Sequence, residues 1–254
     1  MQIIIPIAWL WQRFKDKWYN QSKYLLKIEW KTIIEKIIKN FDIINDNFII
    51  ICNKIDYKYN NLNIIFNSLN INYKLIVIKN HILWPVYSLK KAEKYINLEL
   101  PSIINYWDFY WEWNYNDFKN KVKDYDWSII CYKGFHPHLL NKNLYAWVKT
   151  NNKNELIEIK EKYSYTKNKM NTWQSSWTYY FKNWKILIKY INECIDLNIK
   201  CNNEYYVSLL YNLLKKDWLN TLVYNINKFL QLWTPEDYEE YKYYEDIFYK
   251  KEKL

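Results

Sequence analysis

The chain has 254 residues, half of them apolar, and a formal net charge of +10. That length suits one domain and is ample to bury a sizeable interior. No apolar run approaches the roughly 18 residues of a membrane span, and the start Met-Gln-Ile-Ile-Ile-Pro-Ile-Ala lacks the basic region of a signal peptide, so a cytoplasmic protein without a membrane partner is expected.

The first strand is expected at 2–8, with further strand-like runs at 47–52, 73–78, 102–106 and 128–132. Helix-like stretches near 31–41, 57–69 and 85–96 separate the first four. Thr32, Ile33, Ile34, Ile37 and Ile38 form one apolar face at helical spacing. This alternation predicts an α/β fold built from βαβ units on a largely parallel sheet, in which ligands bind beyond the carboxyl ends of the strands. After about residue 110 the pattern is mixed. Short strands are expected at 144–149, 155–160, 177–182 and 220–225, helices at 184–197 and 204–217, and a terminal helix from about 235. With no repeat and no Ser/Pro-rich linker, the second half reads as a continuation of one core. Cys52, Cys131, Cys194 and Cys201 show no C-x-x-C spacing and read as free thiols in a reducing cytosol.

Fifteen tryptophans stand against a single glycine, Gly134, where average glycine usage is about 7%. The tryptophans fall where glycines belong. Asp126-Trp127, Asn183-Trp184 and Asp217-Trp218 lie between periodic segments, where Asx-Gly is the expected turn pair. Trp218 follows a helix end, a site for glycine. Trp9 and Trp11 flank Leu10 after the first strand and before Arg13, the place of a glycine-rich phosphate loop. A gene that reads UGA as glycine, translated with UGA as tryptophan, gives this pattern. The heavy Asn, Lys, Ile and Tyr usage fits an A/T-rich gene, which also inflates lysine. A small anionic substrate therefore fits the positive charge as well as nucleic acid does.

With tryptophan read as glycine, Ala8-Trp9-Leu10-Trp11-Gln12-Arg13-Phe14 and Lys23-Tyr24-Leu25-Leu26-Lys27-Ile28-Glu29-Trp30-Lys31 become AGLGQRF and KYLLKIEGK. Together they resemble the N-terminal motif of the sugar-phosphate nucleotidyltransferases, the nucleotide-sugar pyrophosphorylases. Small residues let backbone N–H groups close on phosphates, while Arg and Lys neutralise the leaving pyrophosphate. Leu83-Trp84-Pro85-Val86-Tyr87-Ser88 is similar to the family's helix start beside the base. Asn105-Tyr106-Trp107-Asp108-Phe109 resembles the strand end whose Asp holds Mg²⁺. Glu158-Ile159-Lys160-Glu161-Lys162 looks like the strand end that takes the sugar hydroxyls and phosphate. Ser175-Ser176-Trp177-Thr178-Tyr179-Tyr180-Phe181 looks like the strand behind the sugar, and Gln231-Leu232-Trp233-Thr234-Pro235-Glu236-Asp237 like the late turn opening the final helix. The middle, with Gly134-Phe135-His136-Pro137-His138 and Glu204-Tyr205-Tyr206-Val207-Ser208, is most similar to a branch found with capsule and surface-polysaccharide genes.

The resemblance spans residues 2 to about 245 and implies a Rossmann-like, GT-A-like three-layer fold with a mixed, mostly parallel sheet. It implies one domain over 1–254: a nucleotide half (1–110), a sugar-phosphate half (111–234) and a C-terminal helix (235–254). It implies Mg²⁺-dependent nucleotidyl transfer from an NTP to a sugar 1-phosphate. Arg13, Lys23 and Asp108 would be catalytic, with Asp108 on the metal. Ala8, Trp9, Leu10, Trp11 and Trp84 would line the nucleotide. Glu161, Lys162, Trp177 and Glu204 would meet the sugar phosphate. Twelve tryptophans, at 9, 11, 18, 30, 84, 107, 127, 147, 177, 184, 218 and 233, fall on glycine-like positions, whereas Trp111, Trp113 and Trp173 fall where this branch carries aromatics.

One departure concerns the metal. Many members carry an Asp where this chain has Gln231, a poor Mg²⁺ ligand beside a carboxylate, leaving Asp237 or Glu204 as weak substitutes. Bland readings stand beside the sharp ones. Asp108 can cap a turn, Glu161 and Lys162 can be a solvated pair, and Glu204 can open a helix. His136 and His138 lack a third ligand at sensible spacing and read better as a loop beside the sugar than as a metal pair. The Tyr-rich stretch from Tyr238 to Tyr249 reads as a packing face. Two other functions stay open: an inactive nucleotide-binding regulator on the same fold, and an aromatic-rich binder of single-stranded nucleic acid.

Overall fold

The computed structural model describes residues 1–8, 12–81, 83–136, 139, 145–217, 219–226 and 228–251, without the side chains of 12, 84 and 249–251. Its centre is a nine-stranded sheet. β1 (Gln2–Pro6), β4 (Asn47–Asn53), β5 (Asn72–Ile78) and β6 (Ser102–Asn105) pair in parallel in the order β6-β1-β4-β5. β1 and β6 are buried along their whole length and β4 along nearly all of it, which is why the isoleucine-rich runs 2–5 and 49–51 do not alternate with polar residues. The sheet continues through β11 (Trp173–Phe181), antiparallel to β6. β11 also pairs antiparallel with β8 (Trp127–Tyr132) and β9 (Ala146–Thr150). β10 (Leu156–Glu161) lies antiparallel to β9, and β12 (Thr221–Asn225) parallel to β8. Only β10 and β11 therefore run against the other seven strands, and the expected mixed, mostly parallel sheet is present.

Helices flank this sheet. α2 (Ile33–Ile38) starts with a reciprocal capping box between Thr32 and Glu35 and buries Ile33, Ile34, Ile37 and Ile38, the expected face without Thr32, whose hydroxyl caps the helix instead. α5 (Trp84–Ala92) has Pro85 in its first turn. α7 (Trp184–Asp196) is capped by Asn183, whose side chain accepts from the Ile186 amide. α8 (Val207–Lys216) and α9 (Pro235–Lys251) follow.

Several expectations shift. The helix expected at 57–69 is two, α3 (Lys54–Tyr59) and α4 (Leu62–Ser68), because Asn61 takes a left-handed φ of 49° between them. The helix expected from 204 begins at Val207, and Glu204 instead forms an isolated bridge with Cys201. α1 (Gln12–Asp16), the hairpin of β2 (Lys27–Ile28) with β3 (Lys31–Thr32), α6 (Tyr115–Lys121) and the pair β7 (Phe109–Glu112) with β13 (Lys228–Gln231) are additions. Most are too short to carry a readable period. Trp127 and Trp184 are the first residues of β8 and α7, not members of the connecting turns. Among the described residues no helix is long and apolar enough to cross a membrane.

Among the described residues three tryptophans, Trp18, Trp30 and Trp177, have left-handed φ of 64°, 67° and 57°. Each sits in a device that favours glycine. At the end of α1 the Tyr19 amide donates to the Phe14 carbonyl at 3.1 Å and the Trp18 amide to the Lys15 carbonyl at 3.0 Å. With Tyr19 packed on Phe14 at 5.3 Å, this is a complete Schellman motif with Trp18 at its glycine position. Glu29 and Trp30, φ 46° and 67°, form the two-residue loop of the β2–β3 hairpin, a primed turn that calls for Asn-Gly. Ser176 and Trp177 form a bulge: Ser175 pairs with Cys131 but Thr178 with Ile130. There β11 passes from β9, along Trp173–Gln174, to β6, along Thr178–Phe181, and a left-handed bulge residue is again best as glycine.

Candidate functional site

β1 and β6 end side by side, and the residues after them begin the site. Asp108 follows β6, and the Lys23 side chain reaches it: Lys23 Nζ lies 3.7 Å from Asp108 Oδ2 and donates to the Trp233 carbonyl at 3.0 Å. Both side chains are buried. Burial lowers the Lys23 pKa to about 8, against the pull of Asp108, and raises that of Asp108 against the pull of Lys23. A buried ion pair gains little net stability, so this one marks a candidate functional centre. The rings of Trp107 and Phe14 lie 5.0 and 5.1 Å from the Lys23 ammonium, and the exposed Arg13 guanidinium sits 4.2 Å from the Trp233 ring centre.

A second cluster lies at the end of β10. Burial pushes the Glu161 carboxyl up to about 7. Its Oε1 accepts from the Ser208 hydroxyl at the start of α8, while Oε2 is buried without a donor. Lys162, with φ 57°, sits 3.9 Å from Glu204, and Glu204 accepts from the Tyr206 hydroxyl. Trp177 links the clusters. Its ring packs on Tyr145 at 4.7 Å and on Trp233 at 5.9 Å, and the Tyr145 carbonyl accepts from the Lys162 amide at 2.9 Å. The indole thus occupies the ground between the Arg13–Lys23–Asp108 group and the Glu161–Lys162–Glu204 group.

Two buried oxygens in the first group lack donors, Asp108 Oδ1 and Gln231 Oε1. The Leu232 amide donates to the Asp108 carbonyl at 3.1 Å, which joins their two segments. The substitutes for Gln231 do not serve. Asp237 receives the Thr234 amide and Gln231 Nε2, each at 2.6 Å, as part of the cap of α9, and Glu204 belongs to the second cluster. Among the described residues no group of three His, Cys, Asp or Glu side chains could hold a metal. A cavity of about 180 Å³ opens on Gln231 and Asp237, lined also by His136, Phe229 and Tyr241. Trp9, Leu10, Trp11 and His138 lie outside the described residues, as does the Trp84 side chain; Ala8 is buried at the end of the β1 segment.

No protein-family model and no curated protein matches the chain. Solved structures do. A nucleoside-diphosphate-sugar pyrophosphorylase from Vibrio cholerae RC9 superposes with a TM-score of 0.78 at 16% identity, over 94% of this chain and 98% of that one. A UDP-glucose pyrophosphorylase complexed with UDP-glucose gives 0.75 at 14% identity, over 98% of both chains. The inositol-1-phosphate CTP transferase from T. maritima gives 0.69 at 12% identity, over 95% of this chain and 93% of that one. The fold is that of the nucleotide-sugar pyrophosphorylases.

On this pyrophosphorylase fold, Arg13, Lys23 and Asp108 share one constellation, and Glu161, Lys162 and Glu204 another. Sequence reasoning left out the groups that hold them: the Trp233 carbonyl on Lys23, Ser208 on Glu161, and Tyr206 on Glu204. Ser208 and Tyr206 stand in the Glu204–Ser208 stretch already singled out. A backbone carbonyl carries no residue-type signal.

Proposed function

We propose that this protein transfers a nucleotidyl group from an NTP to a sugar 1-phosphate, releasing pyrophosphate, for surface-polysaccharide synthesis. The observation that carries the reading is the pairing of buried Lys23 with Asp108 beside Arg13, at the strand ends of a fold shared with sugar-nucleotide pyrophosphorylases. A sugar-phosphate oxygen attacks the α-phosphorus, a P–O bond forms, and the bond to pyrophosphate breaks. That oxygen is already ionised at neutral pH, so no general base is required. Arg13 and Lys23 hold and neutralise the phosphates, while Glu161 and Lys162 orient the sugar and its phosphate. The donor-free Asp108 Oδ1 would offer one oxygen ligand to a hard divalent cation such as Mg²⁺, which would add positive charge at the phosphates, with Gln231 Oε1 as a weaker neutral oxygen.

The same reading holds that the twelve glycine-like tryptophans are glycine in the native protein. Support comes from the backbone: Trp18, Trp30 and Trp177 are left-handed, whereas Trp111, Trp113 and Trp173 are not. Trp18 and Trp30 also expose 89% and 80% of their surface, which an indole seldom does. Trp107, Trp127, Trp147 and Trp184 are buried and outside the left-handed region, so the backbone does not ask for glycine there. The indole N–H groups of Trp147, Trp177 and Trp184 are buried without acceptors, but so is that of Trp111, and this feature does not separate the two sets.

The test is a chain with glycine at the twelve positions, incubated with a panel of NTPs and sugar 1-phosphates and scored for pyrophosphate release. Release that depends on both substrates is expected. No release with any pair, from a folded chain that binds no NTP, overturns the reading.

A further inference from the structure

Behind the Lys23 segment lies a buried polar network centred on Asp56. This carboxylate is 2% exposed, and every hydrogen-bond partner it has is neutral. Its Oδ1 accepts from Ser22 Oγ at 3.0 Å and its Oδ2 from Asn53 Nδ2 at 2.7 Å. Asn60 Nδ2 lies 2.8 Å from both Asp56 Oδ1 and Ser22 Oγ, and 2.7 Å from the Tyr24 hydroxyl. Asn53 Nδ2 also donates to the Ala8 carbonyl at 3.0 Å, the last described group before residues 9–11. Tyr24 in turn meets Trp107 edge to face at 5.6 Å.

Local capping does not account for this arrangement. The start of α3 is capped by Asn53 Oδ1, which accepts from the Asp56 amide at 2.8 Å, and that cap leaves the Asp56 carboxylate unused. Its oxygens take two local partners, Asn53 and Asn60, and one far away in sequence, Ser22. Ser22 is 34 positions off, and Ala8, held through Asn53, is 45 positions from Asn53. A carboxylate desolvated without a cation is expensive unless its hydrogen bonds are needed. On one side a cavity of about 340 Å³ borders Ser22, Asn53, Asp56 and Asn60, so there the polar ties add to the packing of Tyr24 and Leu25 in the core.

We propose that Asp56 is a positioning residue that, through Asn53 and Ser22, ties the end of the β1 segment at Ala8 to the segment carrying Lys23 and holds the lysine in place for its ligand. Its consequence for nucleotide binding rests on the nucleotidyl-transfer reading; the tie itself does not.

Hydrogen exchange on the 254-residue chain tests the tie directly, with Asp56→Ala and Asp56→Asn compared against the parent. Asp56→Ala should speed exchange about tenfold, the loss expected for a broken buried hydrogen-bond tie, in peptides covering 2–8 and 20–26 together. Peptides covering β8 should stay unchanged. Asp56→Asn keeps an acceptor for Ser22 and should restore the 20–26 segment in part. In the glycine-restored chain Asp56→Ala should raise the KM for NTP about tenfold and leave that for sugar phosphate unchanged. Unchanged exchange in either segment, equal loosening of β8, or both KM values rising together overturns the proposal. If the glycine-restored chain binds no NTP, the functional reading has failed, and the exchange pattern still decides the tie.

Discussion

At the scale of single residues, the left-handed tryptophans make the sharpest predictions. A side chain forced into that region costs about 1–2 kcal/mol, and glycine returns some of the gain through its freer unfolded chain. Trp18→Gly and Trp30→Gly should each stabilise the 254-residue chain by roughly 0.5–1 kcal/mol, read from the urea midpoint. Trp111→Gly should instead destabilise it by about 3–5 kcal/mol, because Trp111 is buried against Phe41, Phe109 and Trp113. In the glycine-restored chain, Asp108→Asn should reduce kcat far more than it weakens NTP binding, since its charge is needed mainly in the transition state; near-normal turnover would remove Asp108 from the site. Glu161 adds a pH signature. Its carboxyl titrates near 7 folded and near 4.5 unfolded, so between those values the unfolded chain binds fewer protons and stability falls as pH rises. Glu161→Gln should flatten that decline, measured as urea midpoints from pH 4 to 8.

Among the elements, the long apolar runs were legible and the short ones were not. β1, β4, β6 and β8 carry isoleucine pairs or runs and are buried on both faces, and β5, though half exposed, ends in the apolar run Leu75–Ile78, so composition alone marks them. β7 and β13 have four residues each and are defined by each other, a long-range pairing that no local window contains. The break at Asn61 hid inside a polar stretch because asparagine serves helices and left-handed turns alike. At the site, Asp108 and Arg13 were readable from motif order, but the Lys23–Asp108 contact joins residues far apart in the chain and needed the fold. β11 carries the element-scale prediction. Its bulge at Ser176–Trp177 sets the passage from β9 to β6, and Trp177→Gly should keep that geometry while removing the indole between the clusters. With glycine at 9, 11, 84, 177 and 233 together NTP binding should be recovered, and no binding from that folded chain would place the nucleotide elsewhere.

Taken as a whole molecule, the sheet presents two charged groups, one on the β1/β6 side and one at the end of β10, with aromatic rings between them. Two substrates of one reaction suit such a division. Glu161→Gln and Lys162→Ala should therefore raise the KM for sugar phosphate and leave that for NTP near its starting value; an effect confined to NTP would reverse the assignment. The β7 segment has one more consequence, for spectroscopy. Trp111 and Trp113 lie 5.9 Å apart at 65°, fixed in place by Phe41 and by the bond from the Trp113 indole N–H to the Asn40 carbonyl. With glycine at the twelve proposed positions, only Trp173 would remain beside this rigid pair, and the pair would be the main indole source of near-ultraviolet circular dichroism. The protein purified from its own host would then report melting of the β7–β13 ribbon through a single optical band, without any label.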